Sequence, residues 1–342
     1  MFPVILEYIW LDGHGKLRSK HKTEYINDTL HFELELWNYD GSSTYQAKTE
    51  NSEIILKPVQ KYKNPFFKEK HLSYLVLCET YRKVNDVLVP TESNHRAVAN
   101  EIFEQKRSAM PWFGLEQEYF MMTHRGTHDS NTPVFFKDSV PAPQGPYYCG
   151  VGSQHVCCRK LAEEHYLACL YAGLSVSGIN AEVAPSQWEY QIGPVCGVQA
   201  ADQLWVSRYI LQRLAEEYHI NISFKPKPLA SPWNGSGLHT NFSTVETRAE
   251  GGLEKIHEYV HKLGQVHEAH IAVYGDNSER LSGECETSDI HTFSCGYGNR
   301  GCSIRIPTAV LEAKRGYFED RRPASDADPY LVTSALMKTC CL

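Results

Sequence analysis

The first 90 residues carry strand patterns, and the remainder mixes strand and helix without repeating as β-α-β units. That asymmetry limits the possible architectures. Val4–Trp10, Leu30–Leu36, Ser52–Val59 and Tyr74–Tyr81 are rich in β-branched, aromatic and leucine residues, and turn signals such as Asp12-Gly13 and Asp40-Gly41 separate them. Ser93 is placed to cap a helix running to Arg107, with Val98, Ile102 and Phe103 on one face. Helical periodicity follows at 155–172, 199–218, 251–271 and 327–338. The interleaved strand candidates are Trp112–Met122, Asn180–Ile192, Leu238–Ser243 and Ser303–Pro307. This pattern predicts an α+β protein rather than a doubly wound sheet. The domains are expected at 1–90, small and β-rich, and at 91–342. The Pro- and Gly-rich stretch 141–152 is too long for a simple turn and reads as a functional loop.

Composition removes several classes of function. The chain has 342 residues, with 34 Lys and Arg against 41 Asp and Glu, a net charge of −7. A nucleic-acid binder would want a basic face instead. No apolar run is long enough to span a bilayer, and Phe2–Leu6 lacks the basic flank of a signal peptide. The 11 cysteines are odd in number and irregularly spaced, with adjacent pairs at Cys157/Cys158 and Cys340/Cys341. They read as reduced thiols of a cytoplasmic protein.

The chemistry-bearing residues fall in five segments. In Trp112–Tyr119, Glu116 and Glu118 lie two apart on a strand, so both carboxylates share one face. Such a pair gains little unless a cation offsets the repulsion. In Asn180–Ile192, the connection Ala184-Pro185-Ser186-Gln187 would make Glu182 and Glu189 neighbours across a hairpin, a second acidic pair in an apolar setting. In Trp233–Ser243, glycines allow close backbone approach to a ligand, and His239 sits on the strand that follows. The histidines of 257–270 read as solvated. Arg300 and Arg305 flank a strand start and suit bidentate binding of phosphate or carboxylate. Gly316–Pro323 concentrates acids, arginines and aromatics. Taken singly, each segment also has a plain structural reading: a solvated strand face for Glu116 and Glu118, unpaired surface acids for Glu182 and Glu189, a satisfied core or surface histidine for His239, and a surface ion-pair network for the last two. Together, five carboxylates and one imidazole carry about −5, which two divalent cations nearly neutralise, and a donor set of this kind suits Mg²⁺ or Mn²⁺. Arginines beside it point to phosphoryl transfer.

These segments, with Tyr8-Ile9-Trp10, Trp37–Thr44 and Pro143–Gly150, resemble glutamine synthetases of the eukaryotic type in order and spacing over nearly the whole chain. The resemblance implies a β-grasp N-terminal domain and a larger α+β catalytic domain with a curved antiparallel sheet, the glutamine synthetase/guanidino kinase-like fold. It implies ATP as co-substrate, glutamate and ammonium as substrates, and two or three Mg²⁺ or Mn²⁺ ions per site. It also implies a homo-oligomer, a decamer of two pentameric rings with sites shared between subunits. One metal would be held by Glu118, Glu182 and Glu189, and the other by Glu116, His239 and Glu319. Asn234, Gly235 and Arg280 match glutamate contacts. Arg300, Arg305 and Arg321 match phosphate-handling arginines. Trp112, Asn241, Ser243 and Tyr317 match nucleotide-side positions. Asp40, from the neighbouring subunit, matches the acid that binds ammonium and takes its proton, and Glu286 the flap acid. Three departures accompany the match: shorter arms before Tyr8 and after Leu342, a short loop at Tyr274–Glu279, and Cys285-Glu286 after Glu284 where the family has His-Glu. They leave two alternatives, a catalytically silent relative with a structural or regulatory role and a γ-glutamyl ligase for another amine.

Overall fold

The computed structural model describes all residues except 29–30, 68–70, 124–131, 137–141, 143–144, 231 and 286. The chain divides into two compact units, Met1–Glu101 with Ala168–Leu174, and Ile102–Leu167 with Ser175–Leu342.

The first unit is a mixed sheet of β1 (Phe2–Leu11), β2 (Leu17–Ile26), β3 (Trp37–Asp40), β4 (Glu53–Lys63), β5 (Leu72–Val84) and β6 (Val87–Pro90). The strand order is β2-β1-β5-β4-β3, with β6 on β5. The β1–β5 pair is parallel and its neighbours are antiparallel, the mixed arrangement of a β-grasp unit. Period-2 alternation puts Val4, Leu6, Tyr8 and Trp10 of β1 into one core with Ile54, Leu56 and Val76.

Two expectations are corrected here. Leu30–Leu36 is not a strand over its described part, 31–36. Both edges of β1 are taken by β2 and β5, and Phe32 and Leu34 instead pack against the core. The helix α1 (His95–Gln105) is capped by Asn94, whose Oδ1 accepts from the Ala97 amide at 3.3 Å, and it buries Ala99 and Phe103 while Val98 stays exposed.

The second unit contains β7 (Trp112–Thr123), α2 (Arg159–Ala172), β8 (Val176–Ala181), β9 (Gln187–Cys196), α3 (Gln199–Glu217), β10 (Ile220–Ser223), β11 (Leu238–Ser243), α4 (Val245–Arg248), α5 (Gly252–Gln265) and α6 (His267–Ile271). It ends with β12 (Cys295–Tyr297), β13 (Ile304–Ile306), α7 (Thr308–Ala313), β14 (Phe318–Asp320) and α8 (Pro329–Cys341). The last residues of α2 cluster with the first unit. The sheet order is β12-β13-β14-β11-β7-β9-β8, with β10 on β7. Pairing is antiparallel except at the edge, where β12 runs parallel to β13. Opposite β7, strand β9 carries an irregularity: Phe113 faces Val195 but Leu115 faces Ile192, so one extra residue of β9 is accommodated there.

Central strand β7 shows how one sequence serves two faces. Glu116 and Glu118 point one way, whereas Leu115, Gln117 and Tyr119 point the other and are buried. Gln117 Oε1 accepts from Arg208 Nε of α3 at 2.8 Å, and Arg208 Nη2 donates to Ser325 O at 2.9 Å. On β14, Asp320 pairs with Arg322 at 2.7 Å, both fully buried, and accepts from the Tyr274 hydroxyl at 2.9 Å. Burial alone would raise the Asp320 carboxyl, but the Arg322 guanidinium outweighs it and holds the acid below its usual value. Replacing Asp320 with Ala strands a buried cation. The expected cost is about 3–5 kcal/mol, read as a lowered midpoint in thermal and urea melts.

Candidate active site

Strand register assembles the site. His239 of β11 lies directly opposite Glu116, Glu118 lies opposite Glu189 of β9, and Glu319 of β14 lies between Asn241 and Arg305. Glu182 follows β8 in the hairpin, where its amide bonds Gln187 O at 2.9 Å to close the turn. Glu189 is thus across from Asn180, and Glu182 reaches it from the connection rather than from a facing strand position.

Two groups of three result. Glu118, Glu182 and Glu189 offer ligand atoms within 4.8 Å of one another, as do Glu116, His239 and Glu319. These are the same two sets that the resemblance grouped. His239 Nδ1 lies 3.7 Å from Glu116, 3.8 Å from Glu118 and 3.6 Å from Glu319, so it stands between the groups. Gly237 donates its amide to Glu118 Oε2 at 2.7 Å. A Cβ there would meet Arg280 Nη2 at 2.5 Å and His239 Nε2 at 2.7 Å, so any larger residue would push both site side chains out of place.

The carboxylates are also orientated from outside. Asn241 Nδ2 donates to Glu116 Oε1 at 2.7 Å. Asn180 and the Val183 amide donate to Glu182, each at 3.0 Å, and Gln191 donates to Glu189. Glu319 accepts from Arg321 at 2.6 Å and from Arg305 at 3.0 Å. Burial, then the charge of Glu182, pushes the Glu118 carboxyl up to about 8. Burial with the charges of Glu116, Glu118 and Glu182 pushes Glu189 up to about 10, and burial also raises Glu182. Burial and then Arg321 drive His239 well below its usual range, so it stays neutral.

Two recesses open beside the acids. A polar one is lined by Glu118, Glu182, Asn234, Gly235, Arg280, Cys285, Arg300 and Arg321. Arg280 is buried there, donating to Asn277 Oδ1 and to the Arg321 and Arg322 carbonyls, and burial lowers it to about 10. An apolar cleft is lined by Trp112, Phe113, Asn241, Ser243, Arg248 and Tyr317. Arg305 Nε is buried with no hydrogen-bond partner among the described residues, a donor that an anionic ligand would satisfy.

Asp40 belongs to the first unit. It is exposed and accepts from the hydroxyls of Ser42 and Ser43 at 2.6 and 2.7 Å, which hold its carboxyl down at about 2. Glu286 lies outside the described residues; its neighbour Cys285 lines the polar recess. Sequence reasoning missed Arg248, which stacks over Trp112 at 4.0 Å and donates to Ser243 Oγ at 2.9 Å. Nothing in its local sequence signals that placement. The histidines at 267 and 270 are buried and hydrogen-bonded rather than solvated: His267 Nε2 bonds Ile290 O at 2.9 Å, and His270 bonds Tyr274 and Thr339.

Residues 93–341 match the profile of glutamine synthetase, catalytic domain, and 4–83 that of glutamine synthetase, beta-Grasp domain. The chain belongs to the glutamine synthetase family. It is 51% identical over 339 residues to the glutamine synthetase of Eremothecium gossypii, covering 99% of this chain and 89% of that one. Against the glutamine synthetase of Emericella nidulans it is 50% identical, covering 99% and 92%. Against that of Saccharomyces cerevisiae it is 50% identical, covering 99% and 89%. The family uses ATP and a divalent metal. The residues present fit both: six hard or borderline donors in two compact groups, and an unsatisfied arginine donor nearby.

Glu118 and Glu189 hold protons in the folded, metal-free protein above the ordinary 4.5, up to about 8 and about 10. At these two groups the unfolded chain binds fewer protons, so their contribution to stability falls as pH rises through that window. Below about pH 6.5 the buried, neutral His165, His239 and His270 act in the opposite sense, so metal-free protein should melt at progressively lower temperature from about pH 7 to pH 9. Divalent cation displaces those protons and should flatten or reverse the trend. A melting temperature of the metal-free protein that climbs over this range would contradict the assigned burial of the acids.

Proposed function

We propose that this protein joins ammonium to the γ-carboxylate of L-glutamate, cleaving ATP to ADP and phosphate through a γ-glutamyl phosphate intermediate. The observation that carries the reading is the pair of acidic groups on adjoining strands, flanked by an arginine-lined polar recess on one side and an apolar cleft on the other. Glu118, Glu182 and Glu189 would hold one Mg²⁺ or Mn²⁺, and Glu116, His239 and Glu319 another. These ions supply electrostatic stabilisation of the phosphoryl group in transfer.

The chain's own residues account for the rest. Trp112, Asn241, Ser243 and Tyr317 line the side suited to the nucleoside, and Arg248 is added to them by its stacking on Trp112. Asn234, Gly235 and Arg280 fix glutamate, with the Arg280 guanidinium suited to its α-carboxylate. Arg300, Arg305 and Arg321 offset charge on the phosphoryl oxygens as the bond to ADP breaks and the bond to the γ-carboxylate forms. The carboxylate oxygen becomes part of a phosphate leaving group. Asp40, kept ionised by Ser42 and Ser43, accepts a proton from ammonium, and the ammonia formed attacks the acyl carbon. Glu286 closes over this step and excludes water. Because Asp40 comes from a neighbouring subunit in this reading, the working form is a ring assembly, a decamer of two pentamers. All eleven cysteines are free thiols, which supports the cytoplasm as its compartment. The complete acidic groups speak against the silent relative, and no feature of the site favours a different amine.

The test is purified protein with Mg²⁺, ATP, glutamate and ammonium, following phosphate and glutamine together. Equimolar products are expected. Glu189→Gln and Arg321→Lys should each lower kcat by about 100-fold or more, because each removes charge placement or bidentate geometry at the transferring group. Phosphate released without glutamine, or no turnover by folded oligomer, would overturn the reading.

A further inference from the structure

Helix α5 and the residues after it contain His257-Glu258-Tyr259-Val260-His261, followed by Gly264 and His267. The spacing H-E-x-x-H-x-x-G-x-x-H is that of a three-histidine zinc centre with a glutamate base. The structure takes this string apart. His267 is buried with both ring nitrogens engaged, Nε2 by Ile290 O at 2.9 Å and Nδ1 by Arg322 Nη1 at 3.0 Å. Glu258 is held by Lys255 at 2.9 Å and Lys262 at 3.4 Å. Gly264 packs on Phe293, which a Cβ would meet at 3.0 Å. A catalytic centre of that type cannot assemble here.

The first two histidines remain. His257 and His261 are both exposed, and a separation of four residues puts them on one helical face, one turn apart. His257 Nε2 lies 2.8 Å from the hydroxyl of Tyr297 on β12, itself half exposed. His261 Nε2 lies 3.1 Å from the exposed amide of Gln265. His257 Nε2 thus reaches off the helix to β12 and His261 Nε2 lies against a residue one turn further along α5, and an ion could displace either exposed partner.

We propose that His257 and His261 chelate a late first-row cation, Zn²⁺, Ni²⁺ or Cu²⁺, on the outer surface of α5, with the Tyr297 hydroxyl close enough to support the bound ion. The chemistry separates this site from the acidic groups. Oxygen-dominated sets suit Mg²⁺ and Mn²⁺, whereas a pair of imidazoles selects the late metals. Its position is also distinct, since α5 and β12 contribute no residue to either acidic group. An ion there would tie the edge strand β12 to the helix beside it.

The experiment uses the full chain with its accessible thiols first alkylated, stripped of metal and then held in saturating Mg²⁺ so that the acidic groups are filled. Cu²⁺ is titrated in and followed by calorimetry and electron paramagnetic resonance. The expected result is one Cu²⁺ bound with the signature of two nitrogen ligands. His257→Ala and His261→Ala should each lose one nitrogen and roughly ten-fold or more in affinity, without changing turnover in copper-free buffer. Copper binding that survives both substitutions unchanged, or a nitrogen signature that follows His239→Ala instead, would overturn the proposal.

Discussion

Five carboxylates crowded together, four on one face of one sheet and Glu182 from the hairpin beside it, set the terms for the second unit. Like charges at this separation repel, and burial makes each costlier. The raised carboxyls of Glu118, Glu182 and Glu189 are the visible result. A surface able to hold such a face must be rigid before any cation arrives, and the opposite face supplies that rigidity. Gln117 is locked by Arg208, the Tyr190 hydroxyl accepts from Ser207 at 2.9 Å, and Asp320 is neutralised by Arg322. Each of these lies next in sequence to a site carboxylate, so the alternation of a strand carries the strain directly into the core.

Neighbouring arginines divide the remaining work. Arg305 and Arg321 both donate to Glu319, which makes that carboxylate a hinge between acidic and basic parts of the site. Arg280 sits deeper, bound to backbone carbonyls on the strand end after Glu319 and touching His239 at 3.2 Å. Changes in how one group is occupied therefore reach the other through bonds of a single residue's length.

Much of this was legible in the chain because the informative segments are strands whose two-residue period is unmistakable. Glu116 and Glu118 among aromatics, and the hairpin between Asn180 and Ile192, announce their faces by spacing alone. What was illegible had a physical reason in each case. Strand β2, Leu17–Ile26, is an edge strand studded with Lys, Arg and His, so it carries no apolar alternation to detect. Leu30–Leu36 has strand-like residues, but in its described part Phe32 and Leu34 pack against the first core without joining the sheet. His267 and His270 lie in a polar helical stretch whose buried partners, Arg322 and Thr339, come from far along the chain. Arg248 reaches the cleft by stacking on Trp112 and donating to Met110 O, contacts with residues far back in the chain that leave no local trace.

The extra residue of β9 opposite Phe113 and Leu115 has an evolutionary consequence. Before it β9 carries Glu189 in regular pairing; the irregularity itself is Gly193 and Pro194, which together stand opposite Gly114 and help to wall the apolar cleft. A local insertion of this kind resets which side chains face inward beyond it without disturbing those before it. The two halves of the strand are thereby free to drift independently. Substitutions that reshape the cleft can accumulate while the carboxylate end keeps its phase, so a lineage could retune the affinity of one compartment with the inorganic chemistry of the other left intact.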